Sequence, residues 1–245
     1  MSLKGNSSNN IREKKDNGRF LKEGRKVEGQ AEVAFIGDSN FRGLLEYELK
    51  EWQLDRGMIV RCYSGGRAND MLKKCCLPDE SRVKTVVIGI GGNDLNGCND
   101  VLNELDENNK KSKADKVIQI VADKITDVAK LYKGIAKRVY VMLPGLRKKM
   151  KNSYVLKLNR FCKEKLDDMN IEYLDTAEEL LKEKQLIDCV IDGVHYRDSF
   201  LKKMIGKICK SLDLPFQLPE IKPTNWPATM PEQCFACGEK TTNHE

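Results

Sequence analysis

Apolar residues come in short unbroken runs that alternate with stretches of helical period, and this alternation predicts the fold. Val33-Ala34-Phe35-Ile36 reads as a buried strand of a parallel sheet. Gly37 permits a sharp turn, and Leu44, Leu45, Tyr47 and Leu49 open an amphipathic helix reaching about Leu54. A second strand over residues 58–63 ends in Ser64-Gly65-Gly66-Arg67, and a short helix follows through Met71 and Leu72. The third strand, 85–90, is apolar and runs into Gly91-Gly92-Asn93-Asp94. Residues 95–113 are polar and read as a surface insertion, and a long helix then spans about 114–132, with Val117, Ile118, Val121, Ile125, Val128 and Leu131 on one face. A fourth strand, 138–143, is stopped by Pro144-Gly145. Then come a helix over about 153–169, a short strand 171–174, a helix from Thr176, and the loop Ile191-Asp192-Gly193-Val194-His195 before a final amphipathic helix. Strands alternating with helices predict a parallel sheet with right-handed crossovers, a single three-layer α/β/α domain of about five strands spanning 31–212.

The flanks differ from this pattern. Residues 1–30 have almost no large apolar side chains, which predicts a disordered basic arm. Beyond Leu212 prolines fall at every fourth position from Pro215 to Pro231, so residues 213–245 read as an extended tail. The net charge of +6 is uneven: the arm carries +4 and the tail −3. A basic arm of this kind is a candidate contact for nucleic acid. No apolar run approaches the ~20 residues that span a bilayer, and the amino terminus lacks the apolar core of a signal peptide. The expectation is an intracellular, cytoplasmic protein without a membrane span. Nine cysteines, most of them single within apolar stretches, argue for reduced thiols rather than a disulfide framework.

Three predicted strand ends coincide at one edge of the sheet: Ser39, the Gly65-Gly66 turn, and Gly92-Asn93. Ligands of open α/β sheets bind at that edge. A serine hydroxyl is a poor nucleophile until a base takes its proton. The only histidine in the ordered part of the chain, His195, stands three residues after Asp192, so the carboxylate can hold the ring with its far nitrogen toward the serine. Donors for a tetrahedral oxyanion are available in the N–H of Ser39, an N–H of the Gly65-Gly66 turn, and the side-chain amide of Asn93. Arg42, Arg67 and the run Arg147-Lys148-Lys149-Met150-Lys151 are candidates for a cationic rim that receives an anionic substrate.

These blocks resemble the SGNH hydrolase superfamily, the GDSL-type esterases and lipases. Gly37-Asp38-Ser39 matches the first block, with Asn40 where many members have leucine. Gly66 matches the second, with Gly65 as the alternative. Gly91-Gly92-Asn93-Asp94 matches Gly-x-Asn-Asp, and Asp192-Gly193-Val194-His195 matches Asp-x-x-His. The resemblance implies a flavodoxin-like sheet and hydrolysis of acyl esters through an acyl-serine, without metal or other cofactor. It makes Ser39 the nucleophile, His195 the base and then acid, Asp192 its orienting partner, and Ser39, Gly66 and Asn93 the oxyanion hole. Few aromatic residues surround the blocks, so small acyl groups are expected.

The tail adds an alternative. Cys234-Phe235-Ala236-Cys237 with His244 supplies three ligands for a structural zinc, one short of a closed site. Esterase-like domains beside cysteine-rich fingers and basic arms occur in proteins of some retrotransposons, so a nucleic-acid-associated protein carrying an esterase domain is the second expectation.

Overall fold

The computed structural model describes residues 10–16, 19–25, 31–41, 44, 57–63, 65–74, 83–183, 189–190 and 192–214. Its strands are β1 (Asn10–Asp16), β2 (Arg19–Arg25), β3 (Ala31–Asp38), β4 (Gly57–Tyr63), β5 (Thr85–Gly89), β6 (Arg138–Leu143) and β7 (Glu172–Asp175). They form one sheet in the order β1-β2-β4-β3-β5-β6-β7. Pairing from β4 through β7 is parallel, which gives the five-stranded α/β sheet the apolar runs predict. The helices among the described residues are α1 (Ala68–Lys74), α2 (Gly92–Asn96), α3 (Asn99–Glu107), α4 (Lys111–Lys133), α5 (Asn152–Asp168), α6 (Thr176–Leu181) and α7 (Asp198–Ser211).

Every residue of β5 is buried, as are Val33 to Ile36 of β3. Val139 to Leu143 of β6 are buried as well, so unbroken apolar runs mark the strands covered on both faces. The helices cover them with most of the faces their periodicity predicts, although Leu131, expected on the buried face of α4, is exposed and Val117 is only partly buried. Ile118, Val121, Ile125 and Val128 of α4 and Met204, Ile205 and Ile208 of α7 are fully enclosed.

Two expectations need correction. Residues 10–16 and 19–25, within the arm expected to be disordered, pair antiparallel as β1 and β2, and β2 joins the free edge of β4 from Leu21 opposite Tyr63 to Arg25 opposite Ile59. The expectation counted only apolar burial. An edge ribbon also gains by satisfying the exposed N–H and C=O groups of its neighbour. Residues 95–113, expected to be a surface insertion, contribute α3 and the ends of α2 and α4. Leu95 and Leu102 are buried, and the Tyr154 hydroxyl donates to the carbonyl of Leu102 at 3.1 Å. A single apolar row is enough to seat a helix whose other sides face solvent. No helix among the described residues is long and apolar enough to cross a membrane. Arg42, Cys234, Cys237 and His244 lie outside the described residues, as does the tail from 215 onward.

Candidate active site

The site is assembled at the carboxyl ends of the parallel strands. β3 delivers Asp38 and passes into a short 3-10 turn, Ser39–Phe41. Phe41 is buried, with its ring edge-on to Phe35 at 5.8 Å between centroids, and this anchors the turn. β4 delivers the Gly65-Gly66 turn. β5 delivers Gly91, whose φ of 108° lies in the left-handed region that favours glycine, and α2 then starts and presents Asn93. His195 comes from far along the chain, in the loop before α7.

That loop is tied down at several points. Val190 and Tyr196 form a bridge across its base, and the N–H of Arg197 donates to the carbonyl of Cys189 at 2.8 Å. The N–H of Lys148 donates to the carbonyl of Gly193 at 2.9 Å. The buried Tyr196 hydroxyl accepts from the N–H of Gly145 at 3.0 Å, and burial pushes its pKa well above the ordinary tyrosine value. Together these contacts fix His195 relative to the end of β6.

The structure brings Ser39, His195 and Asp192 into one line. Ser39 Oγ is 2.8 Å from His195 Nε2, and His195 Nδ1 is 2.6 Å from Asp192 Oδ2. A carboxylate only accepts, so Nδ1 carries the hydrogen and Nε2 presents its lone pair to the hydroxyl. Asp192 Oδ1 accepts the backbone N–H groups of Val194 at 2.9 Å and of His195 at 2.8 Å. Partial burial pushes the Asp192 carboxyl upward. The bond to the imidazole, its charge, and the two N–H donors outweigh that and hold the pKa at about 2.

Asn93 is joined to the second turn, since its Nδ2 donates to the carbonyl of Gly66 at 3.1 Å. The neighbouring Asp94 carboxylate accepts the N–H of Ala68 through both oxygens, at 3.1 and 3.0 Å, which pins the start of α1 to α2. Gly66 needs a correction. Its own N–H closes a turn onto the carbonyl of Tyr63 at 2.9 Å, so it is engaged in holding the loop rather than presented to an oxyanion. The sequence block marks the glycine but does not show where its N–H points.

The cationic rim is also redrawn. Arg67 is exposed at the head of α1, with its guanidinium beside Gly97. Arg147, expected on the rim, is buried. Its Nη1 donates to Asn93 Oδ1 at 3.3 Å, and its Nη2 lies 3.7 Å from Asp38 Oδ2. Burial raises the pKa of Asp38, while Arg147, the N–H of Asn40 and His195 act in the opposite direction. A charged run in sequence gives no sign that one of its members turns inward. Tyr196 is likewise read only from its partner in space, and the sequence block marks Asp94 without showing that it accepts from Ala68.

A family profile described as GDSL-like Lipase/Acylhydrolase matches residues 65–208, more than half of the chain. The chain belongs to this family. It is accordingly a carboxylic ester hydrolase. The matched segment contains Asn93, Asp192 and His195 and starts after Ser39, whose hydroxyl lies 2.8 Å from His195 Nε2. Solved structures share the fold. A lipase/acylhydrolase from Enterococcus faecalis aligns at a TM-score of 0.54 and 11% identity, over 78% of this chain and all of that one. An acetylxylan esterase from Geobacillus stearothermophilus aligns at 0.54 and 15%, over 79% of this chain and 98% of that one. No curated relative matches the sequence.

Proposed function

We propose that this esterase hydrolyses short-chain acyl esters through an acyl-serine, with Ser39 as nucleophile, His195 as general base and acid, and Asp192 as the partner that orients the ring. The observation that carries the reading is the line from Ser39 Oγ through His195 to Asp192, at 2.8 and 2.6 Å. In the first half-reaction Nε2 takes the hydroxyl proton while Oγ bonds to the acyl carbon. The oxyanion is met by the N–H of Ser39 and the second hydrogen of Asn93 Nδ2. Collapse breaks the bond to the leaving alkoxide, which receives the proton from the imidazolium. Water then repeats the sequence, giving its proton to Nε2 and its oxygen to the acyl carbon, and Ser39 leaves with the proton returned. Every proton moves among side chains, substrate and water, so the proposal requires no metal or organic cofactor.

The acetylxylan esterase of similar fold is named for a two-carbon acyl group, which supports a small acyl substrate here. Labelling with a fluorophosphonate and mapping the adduct tests the nucleophile, and p-nitrophenyl acetate tests turnover. The expected result is an adduct on the peptide containing Ser39, with Ser39→Ala abolishing both label and turnover while leaving the fold intact. Equal hydrolysis by the alanine variant refutes the assignment.

A further inference from the structure

We infer that Arg147 is a positioning residue of the oxyanion hole, acting through the side-chain amide of Asn93. The inference rests on the serine-esterase reading above. Arg147 follows β6 in the loop that also supplies Lys148 and Lys149, yet those two lysines are exposed and Arg147 is 8% exposed. Gly92 makes room for it, because a Cβ there would stand 2.0 Å from the guanidinium.

An amide can act as an oxyanion donor only if its nitrogen faces the reacting carbonyl. Turned by half a rotation, it would aim its own oxygen at the developing negative charge. Here both ends of the Asn93 amide are defined. Nδ2 donates one hydrogen to the carbonyl of Gly66 at 3.1 Å, and Oδ1 accepts from Arg147 Nη1 at 3.3 Å. The turned amide would set its NH2 against a cation and its oxygen against a carbonyl, both repulsive. Arg147 therefore selects the orientation that leaves the second hydrogen of Nδ2 available.

The same guanidinium reaches the nucleophile's turn. Its Nη2 faces Asp38 Oδ2, and Asp38 Oδ1 accepts the N–H of Asn40 at 2.9 Å, so the carboxyl group bridges the backbone on either side of Ser39. One planar fork thus registers the nucleophile's turn against the oxyanion donor. A lysine, carrying a compact point charge, would satisfy Asp38 without also bonding the amide.

The test measures kcat and KM on p-nitrophenyl acetate for Arg147→Met, Arg147→Lys, Asn93→Ala and the double variants, all normalised to folded protein by circular dichroism. Asn93→Ala is expected to lose roughly 10²–10³ in kcat. Arg147→Met is expected to lose roughly tenfold to a hundredfold in kcat, as misplaced groups do, with KM within about twofold. The decisive readout is coupling: combining Arg147→Met with Asn93→Ala should cost clearly less than the product of the two single losses, the remainder being the contact to Asp38. If the methionine variant does not fold, Arg147→Lys, which keeps a charge beside Asp38, carries the same cycle with Asn93→Ala. Unchanged kcat in folded Arg147 variants, or losses that multiply in the double variant, overturn the inference. A purely structural arginine would lower the melting temperature and the folded yield without coupling to Asn93. Failure of the esterase reading shows separately, as a parent protein with no Ser39-dependent turnover.

Discussion

Replacing Asp192 by asparagine changes the tautomer of His195 at almost constant volume. Oδ1 of the carboxylate accepts two backbone N–H groups, at 2.9 and 2.8 Å, while Oδ2 faces Nδ1 of the ring at 2.6 Å. In the carboxamide only the oxygen can take those two bonds, so the NH2 group occupies the place of Oδ2 and points a donor at Nδ1. The ring then adopts the tautomer with Nδ1 bare and hydrogen on Nε2, and that nitrogen cannot accept the Ser39 proton. Turning the amide restores the competent tautomer but strands two partly buried N–H groups, at a cost of about 1 kcal/mol each on the low side. Loss of a charge-assisted bond to the imidazolium adds about 1.5–3 kcal/mol. The sum, about 3.5–5 kcal/mol, corresponds to a loss in kcat of roughly 10³-fold, within about a factor of ten either way. Steady-state kinetics on p-nitrophenyl acetate, with the fold checked by circular dichroism, measures it. Asp192→Ala, which imposes neither tautomer, should be no slower than the asparagine variant. Retention of more than a tenth of kcat by Asp192→Asn, or a far slower alanine variant, refutes the reasoning.

Two further predictions concern stability. The native pKa of Asp192, about 2, lies below the ordinary value near 3.9, so its contribution is complete above about pH 4 and is lost as pH falls toward 2. The gap in unfolding free energy between the parent and Asp192→Asn should narrow over that window, by at most about 2 kcal/mol after solvent screening. Urea titrations at several acidic pH values measure it, and a constant gap refutes it. Gly37→Ala would place its Cβ 2.3 Å from the carbonyl oxygen of Gly89, its register partner on β5, and 2.8 Å from the Phe41 ring. Because the nearer obstacle is backbone, we expect about 2–3 kcal/mol of destabilisation and a melting temperature lower by roughly 4–12 °C. An unchanged melting temperature contradicts it.

The parts legible in the sequence share a physical origin. β3 and β5 show themselves because strands buried on both faces need unbroken apolar runs, and α4 and α7 because a half-buried helix needs a stripe. Ser39, Asn93, Asp192 and His195 could be singled out because each stands at a strand end or loop where side chains of that chemistry have few structural duties. The hairpin of β1 and β2 was hidden because its ladder is made of backbone groups, which every residue carries. Only Asn17-Gly18 between the two strands, a pair favoured in two-residue hairpin connections, could have pointed to it. Arg147 was hidden for a different reason. Its burial depends on a missing side chain at Gly92, distant in sequence, and nothing in its own charged run records that. The same holds for Gly66, whose N–H is committed by a turn onto Tyr63.

The order of the sheet explains why these distant residues meet. From β3 the chain crosses to β4 on one side and then to β5 on the other, so the strand ends around β3 leave a crevice at the point where the winding reverses. Each of the three flanking strands sends one group into it: Ser39 after β3, the Gly65-Gly66 turn after β4, and Asn93 after β5. Their spacing is set by parallel register, with Gly37 opposite both Cys62 and Gly89. His195 is the exception, because it lies on a loop that no strand pair aligns. Its placement depends instead on Lys148, Tyr196 and Arg197, whose contacts hold that loop to the end of β6 and across its own base. Ser39 and Asn93 are thus as rigid as the sheet, while His195 is only as rigid as a few tethers. Substitutions that weaken those tethers should therefore reduce proton transfer before they disturb the fold.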